Sequence, residues 1–266
     1  MDLDLRGKRA LITGSNAGIG EAIAKELAKE GVYVVVHGRN RQEIDRVVKE
    51  ITATGAKAVG VRGDIALDDQ AERVAHDAIA AFGGIDILVN NAGEFPVRDW
   101  GNTRPSDWLS IYNTNVVSMV RMIQWIMPQM IKSGWGRMIQ IGSVAGISPS
   151  PSNPDYAASK AANISMSVSL AKELSGTGIT VNTVSPGPIV TPGVKDMFIQ
   201  IAAERKWNQE WKEVERRAAK EVLPNIVGRF GKPEEVAALV TFLASPRADY
   251  ITGSNFRIDG GRTGVV

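Results

Sequence analysis

Short apolar runs and amphipathic stretches alternate along almost the whole chain. Runs rich in valine, isoleucine and leucine predict strands near 8–13, 32–37, 57–62, 85–90, 136–142, 179–184 and 253–258. Several are apolar at nearly every position, the pattern of strands buried on both faces of a parallel sheet. Between them, apolar residues recurring every three or four positions predict helices near 18–30, 41–53, 67–82, 107–131, 156–174 and 233–244. The alternation predicts an α/β, doubly wound Rossmann-like fold: a seven-stranded, mainly parallel sheet with helices on both faces. Residues 1–266 fit one such domain, with no linker, repeat or shift of composition dividing them.

The alternation fails in one place. From 192 to 224 the sequence is helical, charged and carries Phe198, Trp207 and Trp211, directly after a Pro186-Gly187 turn. An insertion there, above the strand ends, is either a substrate lid or a helical pair packed at a subunit interface. The sequence alone favours neither.

Loops after the strands carry the chemistry. The first strand runs into Gly14-Ser15-Asn16-Ala17-Gly18-Ile19-Gly20 and then at once into a helix. Glycines permit a tight turn and close approach of backbone N–H groups to a pyrophosphate, and the helix adds its positive end. The spacing departs from Gly-x-Gly-x-x-Gly, but its strand–loop–helix–strand context favours a phosphate cradle over a plain turn. After the fifth strand come Ser143 and then Tyr156 and Lys160, four residues apart on a predicted helix. An ammonium beside a phenol favours the phenolate, whereas burial alone holds the proton on. The pair reads as a tuned general acid/base. Such pairs also arise by chance on solvated helix faces; Ser143, delivered to the edge where open parallel sheets bind ligands, is what sets this one apart.

Taken together, these motifs resemble those of the classical short-chain dehydrogenases/reductases. The likeness rests on Thr13-Gly14-x-x-x-Gly18-Ile19-Gly20, Asn90-Asn91-Ala92-Gly93, Asn115, Ser143, Tyr156-x-x-x-Lys160, and Pro186-Gly187 followed by Ile189 and Thr191. It implies an oxidoreductase moving a hydride between a nicotinamide dinucleotide and the carbonyl or alcohol carbon of a small organic substrate. By the same resemblance Tyr156 exchanges the alcohol proton and Ser143 holds the substrate oxygen. Lys160 lowers the tyrosine pKa and holds the nicotinamide ribose, and Asn115 holds a relay water, with Asn113 its rival. Cofactor contacts are implied for Gly14, Ser15, Asn16, Gly18, Ile19 and Gly20, for Asp64 and Ile65, and for Asn91, Ala92 and Gly93. Tyr156, Lys160, Pro186, Gly187, Ile189 and Thr191 complete that implied set. Asp64 also suits a helix cap, and the asparagines and glycine an ordinary turn.

The second strand ends in His37-Gly38-Arg39-Asn40-Arg41, with no carboxylate to accept from a ribose 2′-hydroxyl. An arginine there can pair bidentately with a 2′-phosphate. In the resembled family an aspartate at the position of Gly38 marks NAD users and an arginine just after it NADP users. NADP(H) is therefore expected, with Arg39 and Asn40 as contacts and NAD as the alternative, since Asn16 stands where NADP users often carry a base. Arg39 also suits a solvated charge at a helix start.

Composition narrows the alternatives. Lysine plus arginine (31) nearly balance aspartate plus glutamate (29), and their interspersion offers no basic face for nucleic acid. The chain has no cysteine, hence no disulfide or thiolate metal site; His37 and His76 lie apart from the motifs and offer no metal set. Arg121, Gln124 and Pro128 interrupt the most apolar stretch, which reads as a core helix and not a membrane span. The N-terminal residues do not read as a secretory signal. The expected protein is cytoplasmic, a homotetramer or homodimer, with Glu94, Phe95, Ala145, Ile147, Ser148, Asn153 and residues of the 192–224 insertion lining its pocket. Sugars, ketones, steroids and acyl compounds remain open as substrates, and a non-catalytic NADP-binding sensor is the competing class.

Overall fold

Seven strands form among residues 2–264, which the structure, a computed structural model, describes. They are β1 (Arg9–Ile12), β2 (Tyr33–Gly38), β3 (Ala58–Arg62), β4 (Ile87–Asn90), β5 (Gly136–Ile141), β6 (Ile179–Pro186) and β7 (Asn255–Ile258). All pair in parallel in the order β3-β2-β1-β4-β5-β6-β7. Every predicted strand is present. The chain runs outward from β1 to β3 and then returns to β4 on the other side of β1, so a crevice opens at the carboxyl ends of β1 and β4.

Helices α1 (Gly18–Lys29), α2 (Arg41–Thr52) and α9 (Pro233–Leu243) cover one face of the sheet. Helices α3 (Asp68–Phe82), α5 (Ser118–Ser133) and α6 (Pro154–Glu173) cover the other. Alternate strand residues divide between two cores. Val34, Val36, Ile87, Val89 and Ile139 pack on Ile23, Leu27, Val236 and Val240. Leu11, Val35, Leu88, Met138 and Val181 pack on Val74, Ala78, Met122 and Ile126. Burial on both faces is why these strands read as unbroken apolar runs, each large side chain contributing about 1.5–3 kcal/mol.

One predicted helix is divided. The span expected at 107–131 is α4 (Pro105–Tyr112), a π-helical turn Asn113–Val117, and α5. Asparagine is a weak helix former, and here both asparagines of the turn send their amides outward to other segments, a gain that compensates for the poorer backbone geometry. Pro128 lies within α5 without ending it.

The insertion folds as α7 (Pro192–Glu204), α8 (Trp211–Arg217) and a π-helical turn Ala218–Val222. It has its own small core of Phe198, Trp207, Val214 and Phe230, with the Phe198 and Phe230 rings edge to face at 5.0 Å. Among the described residues no helix is long and apolar enough to cross a membrane.

Candidate active site

The carboxyl ends of β1, β2 and β4 are stitched together beneath the glycine loop. Thr13 Oγ1 accepts from the backbone N–H of Asn91 and of Ala92, each at 3.0 Å. The Asn91 amide donates to the carbonyls of Thr13 (2.9 Å) and Gly14 (3.0 Å). Gly20, in the first turn of α1, lies so close beneath the loop that a Cβ there would stand 2.4 Å from the Gly14 oxygen and 2.5 Å from the Asn91 amide nitrogen. Only glycine lets the helix N-terminus reach the loop, and with it the dipole end that favours an anion.

His37, set aside in the sequence reading as remote from the motifs, belongs to this platform. Its Nδ1 accepts from the Gly14 N–H at 3.2 Å, and Nε2 lies 3.1 Å from the Gly63 carbonyl, so the Nε2–H tautomer satisfies both. Burial pushes the imidazole down to about 4, and the neutral ring holds the loop. A histidine in an otherwise apolar strand was the signal for such a role.

The other half of the site rises from β5 and α6. Ser143 follows β5, and its Oγ accepts from the Ala145 N–H at 3.1 Å. Burial raises the Tyr156 phenol above its ordinary pKa, and a hydrogen bond with Ser143 pulls it partly back. The Lys160 ammonium lies 5.8 Å from the centre of the Tyr156 ring and donates to the Ile141 carbonyl at 2.9 Å. Burial pushes this lysine down to about 8. Serine, tyrosine and lysine are thus assembled as the spacing implies, but in this state the serine hydroxyl, and not the lysine, offsets the burial of the phenol.

A buried ion pair fixes the start of α6. Asp155, with its side chain fully buried, accepts from the Tyr156 backbone N–H at 2.8 Å and from Arg98 at 2.8 and 3.0 Å. Arg98 also faces Asp107 at 3.3 Å, and its backbone N–H bonds the Ser152 carbonyl at 2.9 Å. The loop after β4, the start of α4 and the tyrosine-bearing helix are held as one unit.

Asn115 lies in the π-helical turn, wholly buried. Its Oδ1 accepts from the Glu94 N–H at 2.8 Å, while Nδ2 donates to the Glu94 carbonyl (2.9 Å) and Ser159 Oγ (3.1 Å). The side chain therefore ties the Gly93-Glu94 backbone to α6. Asn113, the rival, bonds the Ala66 carbonyl and Arg121 instead.

A cleft of about 770 Å³ runs across these groups. Its wall includes Gly14, Asn16, Gly18, Ile19, Arg39, Asp64 and Ile65 together with Asn91, Ala92, Gly93, Ser143, Tyr156, Lys160, Pro186, Gly187, Ile189 and Thr191. Three residues expected to touch a cofactor are not on the wall. Ser15 is buried as a brace between the Ile12 carbonyl and the His37 N–H. Gly20 is packed beneath the loop, and Asn40 caps α2 by accepting from the Gln42 N–H at 2.9 Å. Asp64 lies on the wall and accepts from the Ala66 N–H at 3.0 Å within its own turn, but it does not cap the next helix, whose N-cap is Leu67. Of the pocket residues expected by number, Ile147 alone is absent from the wall; the insertion contributes Val194, Met197 and Leu223 to it, and Val97 and Arg262 are additions. These come from loops and the insertion, where no periodicity marks the inward face.

The sheet order, the crevice and the glycine platform define a doubly wound α/β protein that holds its ligand at the strand ends. The short chain dehydrogenase family model matches residues 8–201, and the chain belongs to this family. It is 38% identical over 262 residues to an uncharacterized oxidoreductase of Bacillus subtilis, YvaG, covering 98% of each chain. It is 37% identical to the 3-oxoacyl-[acyl-carrier-protein] reductase FabG of Thermotoga maritima, covering 97% of this chain and 98% of that one. Among solved structures, L-sorbose reductase of Gluconobacter frateurii complexed with NADPH and L-sorbose superposes with a TM-score of 0.94 at 32% identity over the whole of both chains. A variant of actinorhodin polyketide ketoreductase with NADPH gives 0.89 at 30% identity, covering 97% of this chain and 98% of that one.

Two predictions follow from this geometry. Replacing Arg98 by Met leaves the Asp155 carboxylate buried without its counter-charge and should cost about 3–5 kcal/mol in urea unfolding. Adding Asp155→Asn should restore much of that loss; no coupling between the two substitutions would show the pair to be structurally idle. His37, neutral when folded and free to protonate near 6.5 when unfolded, makes the unfolded chain the greater proton binder between about pH 6.5 and 4. Its contribution to stability therefore falls as pH drops through that window, by roughly 3 kcal/mol in all, and is constant below it. The stability gap between the parent and His37→Gln should be widest at neutral pH and narrow on acidification; a gap independent of pH would refute the neutral ring.

Proposed function

We propose that the chain is an NADP(H)-dependent reductase or dehydrogenase of a small carbonyl or alcohol compound, with Tyr156 as its general acid/base. The observation that carries this reading is the convergence of Ser143, Tyr156 and Lys160 on one wall of the cleft that the glycine loop opens. The fit for a dinucleotide lies in that loop, where glycine is required beneath Gly14 and the α1 N-terminus faces the cleft. Bound there, a nicotinamide supplies or accepts the hydride, chemistry that no side chain provides. In the reducing direction Tyr156 gives its hydroxyl proton to the substrate oxygen, and Ser143 donates a hydrogen bond to that oxygen as charge builds on it. Lys160 stands behind the phenol, where its charge favours the phenolate left after proton transfer. Asn115 holds the Glu94 backbone against α6 and so keeps the roof of the site in place. The inner face of the 192–224 insertion supplies Val194, Met197 and Leu223 to the wall, which favours the lid over a purely interfacial role.

The preference for NADP rests on Arg39 and Gly38. A Cβ on Gly38 would lie 2.5 Å from Asn16 Oδ1, so the site rejects the acidic side chain that a ribose 2′-hydroxyl would need. Arg39 is exposed at the cleft mouth, 3.3 Å from Glu94 and 3.9 Å from Asp64, loose pairs that a phosphate can replace. The NADPH complexes of the two solved relatives agree with this choice. An oligomer belongs to the same reading, supported by Leu109, Val117 and Trp125, exposed along α4–α5.

Tyr156→Phe should bind NADPH as the parent does while turnover falls by about two or more orders of magnitude, and near-normal turnover would overturn the role. Arg39→Ser should lower kcat/KM for NADPH by roughly tenfold to a hundredfold, the worth of a charged hydrogen bond, and change that for NADH far less. Equal losses with both cofactors would remove Arg39 as the selecting residue.

A further inference from the structure

Building on the reductase reading, we propose that Arg262 selects the substrate and that the substrate carries an anionic group, a carboxylate or phosphate, apart from its carbonyl. Arg262 lies in the turn after β7 and lines the same cleft as Ser143 and Tyr156. The same wall carries the apolar side chains of Val222, Leu223 and Met197. The guanidinium donates to the Pro224 carbonyl at 3.2 Å. Among the described residues no carboxylate forms an ion pair with it.

The nearest acid is committed elsewhere. Asp259 folds back on its own turn, accepting from the Gly261 N–H at 3.0 Å and the Thr263 N–H at 2.9 Å. Burial lowers the Arg262 pKa, and the charge of Asp259 only partly offsets this. The other two cations on the wall are engaged: Arg39 faces Glu94 and Asp64, and Lys160 donates to Ile141. Arg262 is thus a partly buried cation on the cleft wall whose one side-chain hydrogen bond among the described residues goes to a carbonyl. An arriving carboxylate or phosphate meets a planar donor fork that is partly shielded from water, where charge-assisted, bidentate contact is favourable. A neutral sugar or ketone leaves the cation as it was. The arginine's turn is also held in position, because the Gly260 carbonyl accepts from the N–H groups of Ile226 (2.8 Å) and Val227 (3.1 Å), pinning the segment just after the insertion to it.

The test compares matched pairs under NADPH: oxo acids of increasing chain length against their methyl esters, and dihydroxyacetone phosphate against dihydroxyacetone. The parent should prefer the charged member of at least one series by about tenfold or more in kcat/KM. The series that responds separates a carboxylate from a phosphate. In Arg262→Met the charged-to-neutral ratio should collapse toward one, chiefly through KM, and in Arg262→Lys it should recover in part. A parent that reduces neutral members as well as charged ones overturns the proposal, as does a methionine variant that keeps the preference. If no compound in either series oxidises NADPH, the reductase reading fails, and calorimetric titration decides this one separately. Binding of an oxo acid or phosphate by the parent but not by Arg262→Met then supports it; equal binding or none overturns it.

Discussion

The site depends on how closely the backbone turns after β1 and β4 approach each other. Asn91 and Ala92 donate four hydrogen bonds to Thr13 and Gly14 across that gap, and the absence of a side chain at Gly20 lets α1 begin directly beneath it. Buried backbone groups that lose their partners cost more than formed hydrogen bonds gain, so the arrangement is close to all-or-none. With the platform fixed, the crevice between β1 and β4 has rigid walls.

The second organising element is the first turn of α6. Asp155 pulls together a helix, a loop and the start of α4, and it does so as a carboxylate without contact with water. Such burial is tolerated because Arg98 and the Tyr156 N–H meet its oxygens directly. The tyrosine is therefore located by its own main chain as well as by Ser143. Lys160, sunk into the same helix face, donates to the last residue of β5 and locks the helix to the sheet.

Much of this was legible in the sequence because it follows from periodicity. Strands buried on both faces must be apolar throughout, so β2, β4 and β6 announced themselves, and the loops after them carried glycine, asparagine, serine and proline where regular structure stops. What escaped was set by contacts between distant segments. Nothing local shows that Ser15 turns inward as a brace, that Asn40 spends its side chain on a cap, or that His37 supports Gly14 from the next strand. Spacing on a helix gives the proximity of Lys160 to Tyr156, but not the depth at which both groups sit, which shifts the acidity of each. The cleft residues of the insertion and Arg262 lie beyond any motif, in segments whose inward face depends on how they dock.

The wide turn at Asn113–Val117 also changes phase. One extra residue in a helical run rotates everything beyond it by about 100°. The α4 segment thereby faces the loop after β4, while α5 keeps its apolar stripe on the sheet. A straight helix of the same composition would satisfy one of these two contacts and turn the other into solvent. The local irregularity acts as a coupling that lets a single continuous rod serve two surfaces set at different angles.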